Sequence, residues 1–137
     1  LNETRPPADV SDAFNLTSEA NTLKMIRVRS RDGEPFGYYI SWSRGLDDTI
    51  TVETIKSMPR LEIFRQNGVH ITHVKQILTA MPASAEVASE LQVELGFPLL
   101  KLVRQSFDKQ EKLVDFLIAL YHPDRFQYHM DLTVEPE

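Results

Sequence analysis

Two arginines two residues apart, Arg27 and Arg29, sit in the run LKMIRVRSRDG. On an extended strand both guanidiniums face one way, the side that can hold an anion, and Ile26 and Val28 face the other, the side that can bury. A guanidinium pair can clamp a phosphate or carboxylate through charge-assisted, bidentate hydrogen bonds. The residues alone favour a plainer role, a solvated face paired across the strands to Glu or Asp. Asp115 is the second candidate, because a carboxylate inside the apolar run LVDFLIAL is costly to bury without a partner. It would accept hydrogen bonds from a ligand or pair with Arg104. Tyr121 follows on the same strand face, where an aromatic ring also serves to close a core. His70 and His73 fall on opposite faces of an expected strand, which is poor metal-ligand spacing, so no metal is expected. His73 remains a candidate for the pocket.

These groups need a hairpin and a sheet to position them. Leu23–Ser43 reads as two strands joined at Asp32-Gly33-Glu34-Pro35. Phe36, Tyr38, Ile40 and Trp42 share one face of the second strand; Gly37, Tyr39, Ser41 and Ser43 share the other. The turn leaves open whether Arg27 sits opposite Tyr38 or Tyr39. Before the hairpin, Leu1–Arg5 suits the end of a strand stopped by Pro6-Pro7. A short helix follows over Ala8–Asn15, then a loop over Thr17–Asn21. After it, helices are expected over Thr51–Met58 and over Arg60–Asn67, the latter with Leu61, Ile63 and Phe64 inward and Gly68 as its stop. Strands are expected over Val69–Thr79, Leu99–Phe107 and Leu113–Tyr121, and a helix over Ala83–Gln92. Gln127–Val134 alternates as a last strand.

The chain also repeats itself. At an offset of 77 residues, the difference between Leu23 and Leu100, ADVSDAFNL lies over AEVASELQV and LKMIR over LKLVR. One further residue in the second turn brings Phe36 over Val114. A helix–loop–strand–turn–strand unit therefore occurs twice. Two such hairpins in one antiparallel sheet, each carrying its helix, make an α+β domain.

The 137 residues suit a single domain with a real core, and 42% hydrophobic and 26% charged residues are ordinary for a globular protein. A net charge of −5 argues against this chain gripping nucleic acid by itself, since such grip rests on cations neutralising phosphates. Cysteine is absent, which fits a reducing cytoplasm. No apolar run is long enough for a membrane helix, so no membrane partner is expected.

The order of these motifs is similar to that of the UTRA domain, the effector-sensing half of HutC/FarR-type GntR transcriptional repressors. RVRSRDGEPFGYYI resembles its central hairpin, and ASAEVASEL through PLLKLVRQSFD to LYHPDRFQY resembles the second copy. EIFRQNGVHIT resembles the helix, glycine and strand between them. The resemblance implies a chorismate lyase-like fold, no catalysis, no cofactor and homodimerisation. It also implies a winged helix-turn-helix domain before Leu1 that carries the contact with operator DNA. At the matching positions it implies that Arg27 and Arg29 hold an anionic effector, often a sugar phosphate, and that Asp115, where the family usually has Glu, and Tyr121 face the pocket. Tyr39 stands where sugar-phosphate sensors often carry an acid. Where those relatives have Ser-x-Tyr, this chain has Pro59-Arg60-Leu61, which shifts the expectation toward other anions such as a carboxylate metabolite. A small non-metal enzyme acting on an anionic aromatic substrate, and a pure assembly domain, are the competing readings. No nucleophile–base pair or phosphate loop favours the enzyme.

Overall fold

The computed structural model describes residues 2–15, 22–46 and 50–134. In chain order the elements are β1 (Asn2–Thr4), α1 (Ala8–Phe14), β2 (Thr22–Arg31), β3 (Glu34–Ser43), α2 (Val52–Ser57), α3 (Arg60–Gln66), β4 (His73–Pro82), α4 (Ala85–Leu91), β5 (Pro98–Phe107) and β6 (Leu113–Tyr121). The six strands form one sheet in the order β1-β2-β3-β6-β5-β4, and every pairing is antiparallel. This is the expected α+β architecture. The loop expected over Thr17–Asn21 lies outside the described residues.

The strand order reads as two mirrored halves, β1-β2-β3 and β6-β5-β4, which are the two sequence copies. The Cα partners Asn2 and Lys24 reappear, 77 residues on, as Thr79 and Lys101. Helix α1 reappears as α4 at the same offset, and the residues that end them, Asn15 and Gln92, both take φ 56°. In the second copy this closes a Schellman turn, in which the Val93 amide donates to the Ala88 carbonyl at 3.0 Å.

The β2–β3 turn is tighter than the sequence suggests. Only Asp32 and Gly33 lie outside the strands, and both have positive φ (52° and 80°), the pattern of a two-residue type I′ hairpin. That turn, with an irregularity at Arg29/Ser30, sets Arg27 opposite Tyr39 and Val28 opposite Tyr38. One face of the sheet is then a core. Tyr38, Leu99 and Leu120 pack with Val87, Ala88 and Leu91 of α4, and Trp42, Leu113 and Phe116 pack with Val10 and Phe14 of α1.

Four sequence expectations change. Leu61 is exposed, while Ile63 and Phe64 are buried from α3 as expected. Ile26 is also exposed, because the core helices cover the middle of the sheet while β2 lies near one edge. Strand β4 starts at His73 rather than Val69: the Val69 amide is used to close α3, donating to Phe64 at 2.9 Å beside Gly68 at φ 78°. Gln127–Val134 forms no strand within the described residues.

Candidate functional site

The face opposite α1 and α4 carries Arg27 and Arg29 from β2, Tyr39, Ser41 and Ser43 from β3, Asp115, Leu117 and Tyr121 from β6, and Arg104 from β5. The antiparallel registers carry this parity from strand to strand. Helix α2 and the start of α3 lie against part of this face and, with it, line a cavity of about 360 Å³. Arg27, Arg29, Lys56, Arg60 and Arg104 line it, with Tyr39 and Ser41 and an apolar wall that includes Met25, Val52, Ile55 and Leu117. Among the described residues, five cations and no carboxylate line the cavity, in a chain whose net charge is −5.

Each of the four arginines meets a different partner. Arg27 Nη2 donates to the Ile55 carbonyl at 2.6 Å and so ties α2 to the sheet. Its partial burial, and then the neighbouring charges of Arg29 and Arg60, push its guanidinium below the ordinary value. An anion in the cavity relieves that repulsion. The Arg29 guanidinium lies 6.0 Å from the centre of the Tyr39 ring. Arg104 Nε donates to Gln76 Oε1 at 2.7 Å. Arg60, the first residue of α3, is ion-paired to Asp115, and its Nη2 also lies 3.4 Å from Ser43 Oγ.

Asp115 is buried, and its partners differ from both sequence readings. Ser43 Oγ donates to its Oδ1 at 2.6 Å and Arg60 completes the pair. Arg104 is displaced from that role because β5–β6 pairing sets it opposite Leu117, while Asp115 sits opposite Ser106. Burial pushes the Asp115 carboxyl up from its ordinary value, and Arg60 and then Ser43 pull it back. Its carboxylate is occupied within the protein and does not line the cavity; it anchors the arginine that does.

Tyr121 also stands behind the wall. Its ring meets Tyr39 edge-on at 5.6 Å and stacks on Phe126 at 3.9 Å, while burial and a hydrogen bond with Tyr39 push its hydroxyl up. Tyr39 thus lines the cavity with Tyr121 as its support. It leans across Gly37, where an added Cβ would come within 2.8 Å of the Tyr39 ring, so the close approach depends on glycine. His73 is not brought to the site: it pairs with Phe107 on the other face, is exposed, and packs its ring 5.5 Å from that of Phe107. Among the described residues, no three His, Cys, Asp or Glu side chains are grouped to hold a metal ion.

Of the six candidates, the structure places Arg27, Arg29 and Tyr39 in the cavity wall, Asp115 and Tyr121 just behind it, and His73 elsewhere. The sequence reading left Lys56, Arg104 and Arg60 outside the site. The repeat offered a signal for Arg104, which lies under Arg27 in the LKMIR/LKLVR alignment. Arg60 was visible as a departure from the family pattern. Nothing local marked Lys56, which reaches the cavity only because α2 is set against the sheet.

Comparisons with known proteins bear on the fold and the family. The UTRA domain model matches residues 1–127. A protein assigned as a transcriptional regulator from Streptomyces coelicolor superposes with a TM-score of 0.90 at 26% identity, over 99% of this chain and 92% of that one. The ligand-binding domain of a protein assigned to the GntR family of regulators, from Bordetella bronchiseptica, gives 0.86 at 26% identity, over 96% and 86%. The effector domain of PhnF from Mycobacterium smegmatis gives 0.82 at 18% identity, over 97% and 83%, a likeness of fold alone. With residues 1–127 of its 137 matched, the chain belongs to the UTRA domain family.

Proposed function

We propose that this chain is the effector-binding and dimerisation domain of a bacterial, cytoplasmic GntR-type transcription regulator. It senses a small anionic metabolite, a carboxylate or a sugar phosphate, and controls operator binding by a DNA-binding domain outside this chain. The observation that carries this reading is the charge of the cavity: five cations, and no carboxylate among the described lining residues, gathered inside an acidic chain. Holding like charges together is unfavourable without an anion to share, so the arrangement favours an anionic occupant. The apolar wall gives that ligand's carbon skeleton a place to bury.

The mechanism is linkage. An anion between the sheet (Arg27, Arg29, Arg104) and the helices (Lys56, Arg60) binds most tightly when α2 and α3 are drawn against the sheet. A ligand with that preference shifts the population toward one arrangement of the domain and of whatever is joined to it. No helix among the described residues is long and apolar enough to cross a membrane.

The test is a thermal-shift screen of carboxylates and sugar phosphates, followed by calorimetry on any hit. A saturable ligand whose binding is lost in Arg29→Ala supports the reading. Turnover of the hit would replace it with an enzyme on the same fold. A screen in which only uncharged or cationic compounds bind would overturn the anionic site.

A further inference from the structure

The cavity is wider than one anion needs. The cross-strand partners Met25, Ser41, Leu117 and Arg104 form a single row across β2, β3, β6 and β5, and all of them line the cavity. Three strand intervals separate the ends of that row, roughly 14 Å of backbone at the usual spacing. Its middle is a buried hydroxyl, Ser41, and a buried apolar side chain, Leu117.

The cations sort along this row. Arg27 and Arg29 follow Met25 on β2, and the bond from Arg27 to the Ile55 carbonyl puts the next residue, Lys56, at the same end. Arg60 flanks the middle, but it is already paired with Asp115. Arg104 stands by itself at the β5 end, and it is fixed there. Gln76 lies directly opposite it on β4, accepts from Arg104 Nε at 2.7 Å, and donates its own Nε2 to the Tyr128 hydroxyl at 3.0 Å. A side chain braced in this way loses little freedom when a ligand arrives. Spending Nε on Gln76 leaves the Nη1/Nη2 edge of the fork, which can grip a carboxylate end-on, and among the described residues no acceptor meets that edge.

We propose that the ligand carries two acid groups joined by an apolar stretch, one held by Arg27, Arg29 and Lys56 at the β2 end and the other by Arg104 at the β5 end. Its carbon chain lies along Leu117, with the Ser41 hydroxyl beside it. A single phosphate or carboxylate satisfies one end and leaves the charge at the other unmatched; a two-ended acid matches both and buries its middle on the apolar floor. The proposal deepens the anion-sensing reading above and rests on it.

The test is titration calorimetry with adipate, pimelate and suberate against hexanoate, heptanoate and octanoate, and with malonate as a compact diacid. The native chain should bind its best long diacid about tenfold or more tighter than the monoacid of equal length, the worth of one further charge-assisted contact. Arg104→Met, melting as the native chain does, should lose that advantage and bind the two alike, with its affinity for the monoacid kept. Gln76→Leu, at an exposed position, removes the brace and should narrow the same ratio. Three results would overturn the proposal and leave the anion-sensing reading standing: equal binding of diacid and monoacid by the native chain, a diacid advantage that survives in Arg104→Met, or malonate as the tightest ligand, which places both acids in one cluster. If no acid and no phosphate binds, the anion-sensing reading fails and this proposal falls with it.

Discussion

Arg27 and Arg104 occupy the same position in the two copies of the repeat, 77 residues apart, and both line one cavity. Arg27 sits opposite Tyr39 on β3, and Arg104 opposite Leu117 on β6. Strands β3 and β6 lie between the two arginines, so their backbones are roughly 14 Å apart at the usual strand spacing. Long guanidinium side chains on a shared face reach inward from both sides. Each copy of the repeated unit therefore supplies a cation to the one cavity, and α2 and α3, which lie between the copies in sequence, add Lys56 and Arg60.

Both arginines are expected to matter to the same ligand. Arg104→Ala should weaken binding of an anionic hit by about tenfold or more, comparable to Arg27→Ala, as the loss of one charge-assisted contact implies. Lys101→Ala, on the other face of β5, should leave it unchanged. Titration calorimetry of the three variants decides this. Arg27→Ala carries a second consequence, because it also removes the bond to Ile55: amides of α2, a helix with no buried residue, should exchange faster with solvent.

Asp115 is expected to act through Arg60. Asp115→Asn keeps the shape but weakens the ion pair, and urea unfolding should show a loss of about 1–3 kcal/mol. Ser43→Ala removes one hydrogen bond to the same carboxylate and should cost about 1 kcal/mol. Anion affinity should fall in Asp115→Asn even though residue 115 does not line the cavity, because Arg60 loses its anchor. Unchanged affinity in a folded Asp115→Asn would show that Arg60 needs no anchor.

His122 is expected to make the fold acid-sensitive. Its Nδ1 accepts the Asp124 amide at 3.1 Å, which requires a neutral ring, and it is buried with Phe97 at 4.9 Å. Burial and then Arg125 lower its protonation below the usual histidine range, with Asp124 and, more weakly, Glu34 opposing. A histidine whose folded value is lowered contributes stability that is present above about pH 6.5 and lost as pH falls through the folded value. His122→Asn keeps an acceptor for the Asp124 amide but does not titrate. Melting temperatures at pH 7 and 5 should therefore fall further in the native chain than in the variant. His70, His73 and His129 are exposed in both and cancel in the comparison.

Much of the fold was legible because its signals are local. Alternation in LKMIRVRSR and FGYYISWS gives strands whatever surrounds them. Asp32-Gly33 gives a tight turn because both positions accept positive φ. Gly68 ends α3 for the same reason. The repeat in ADVSDAFNL and AEVASELQV stated in advance that two helix–hairpin units would share a sheet. The misreadings came where one residue had two suitors. Val69 fits a strand by its side chain, but its amide closes α3. Leu61 fits a buried helix face, yet α3 turns only Ile63 and Phe64 of that trio inward.

The site divides along the same line. Residue order alone set which face each strand side chain takes, and so put Arg27 with Arg29 and Asp115 with Tyr121, because alternation is a property of the extended backbone. It also determined that Asp115 must be compensated, because a buried carboxylate is costly anywhere. Which group compensates it depends on the folded arrangement. Arg104 is nearer in sequence, but the β5–β6 register carries it past, and Arg60 arrives from α3, 55 residues before Asp115. The folded arrangement likewise puts His73 on the far face and brings five cations to one cavity. Register and helix docking are set by the summed packing of the whole sheet, and no stretch of the chain encodes that sum.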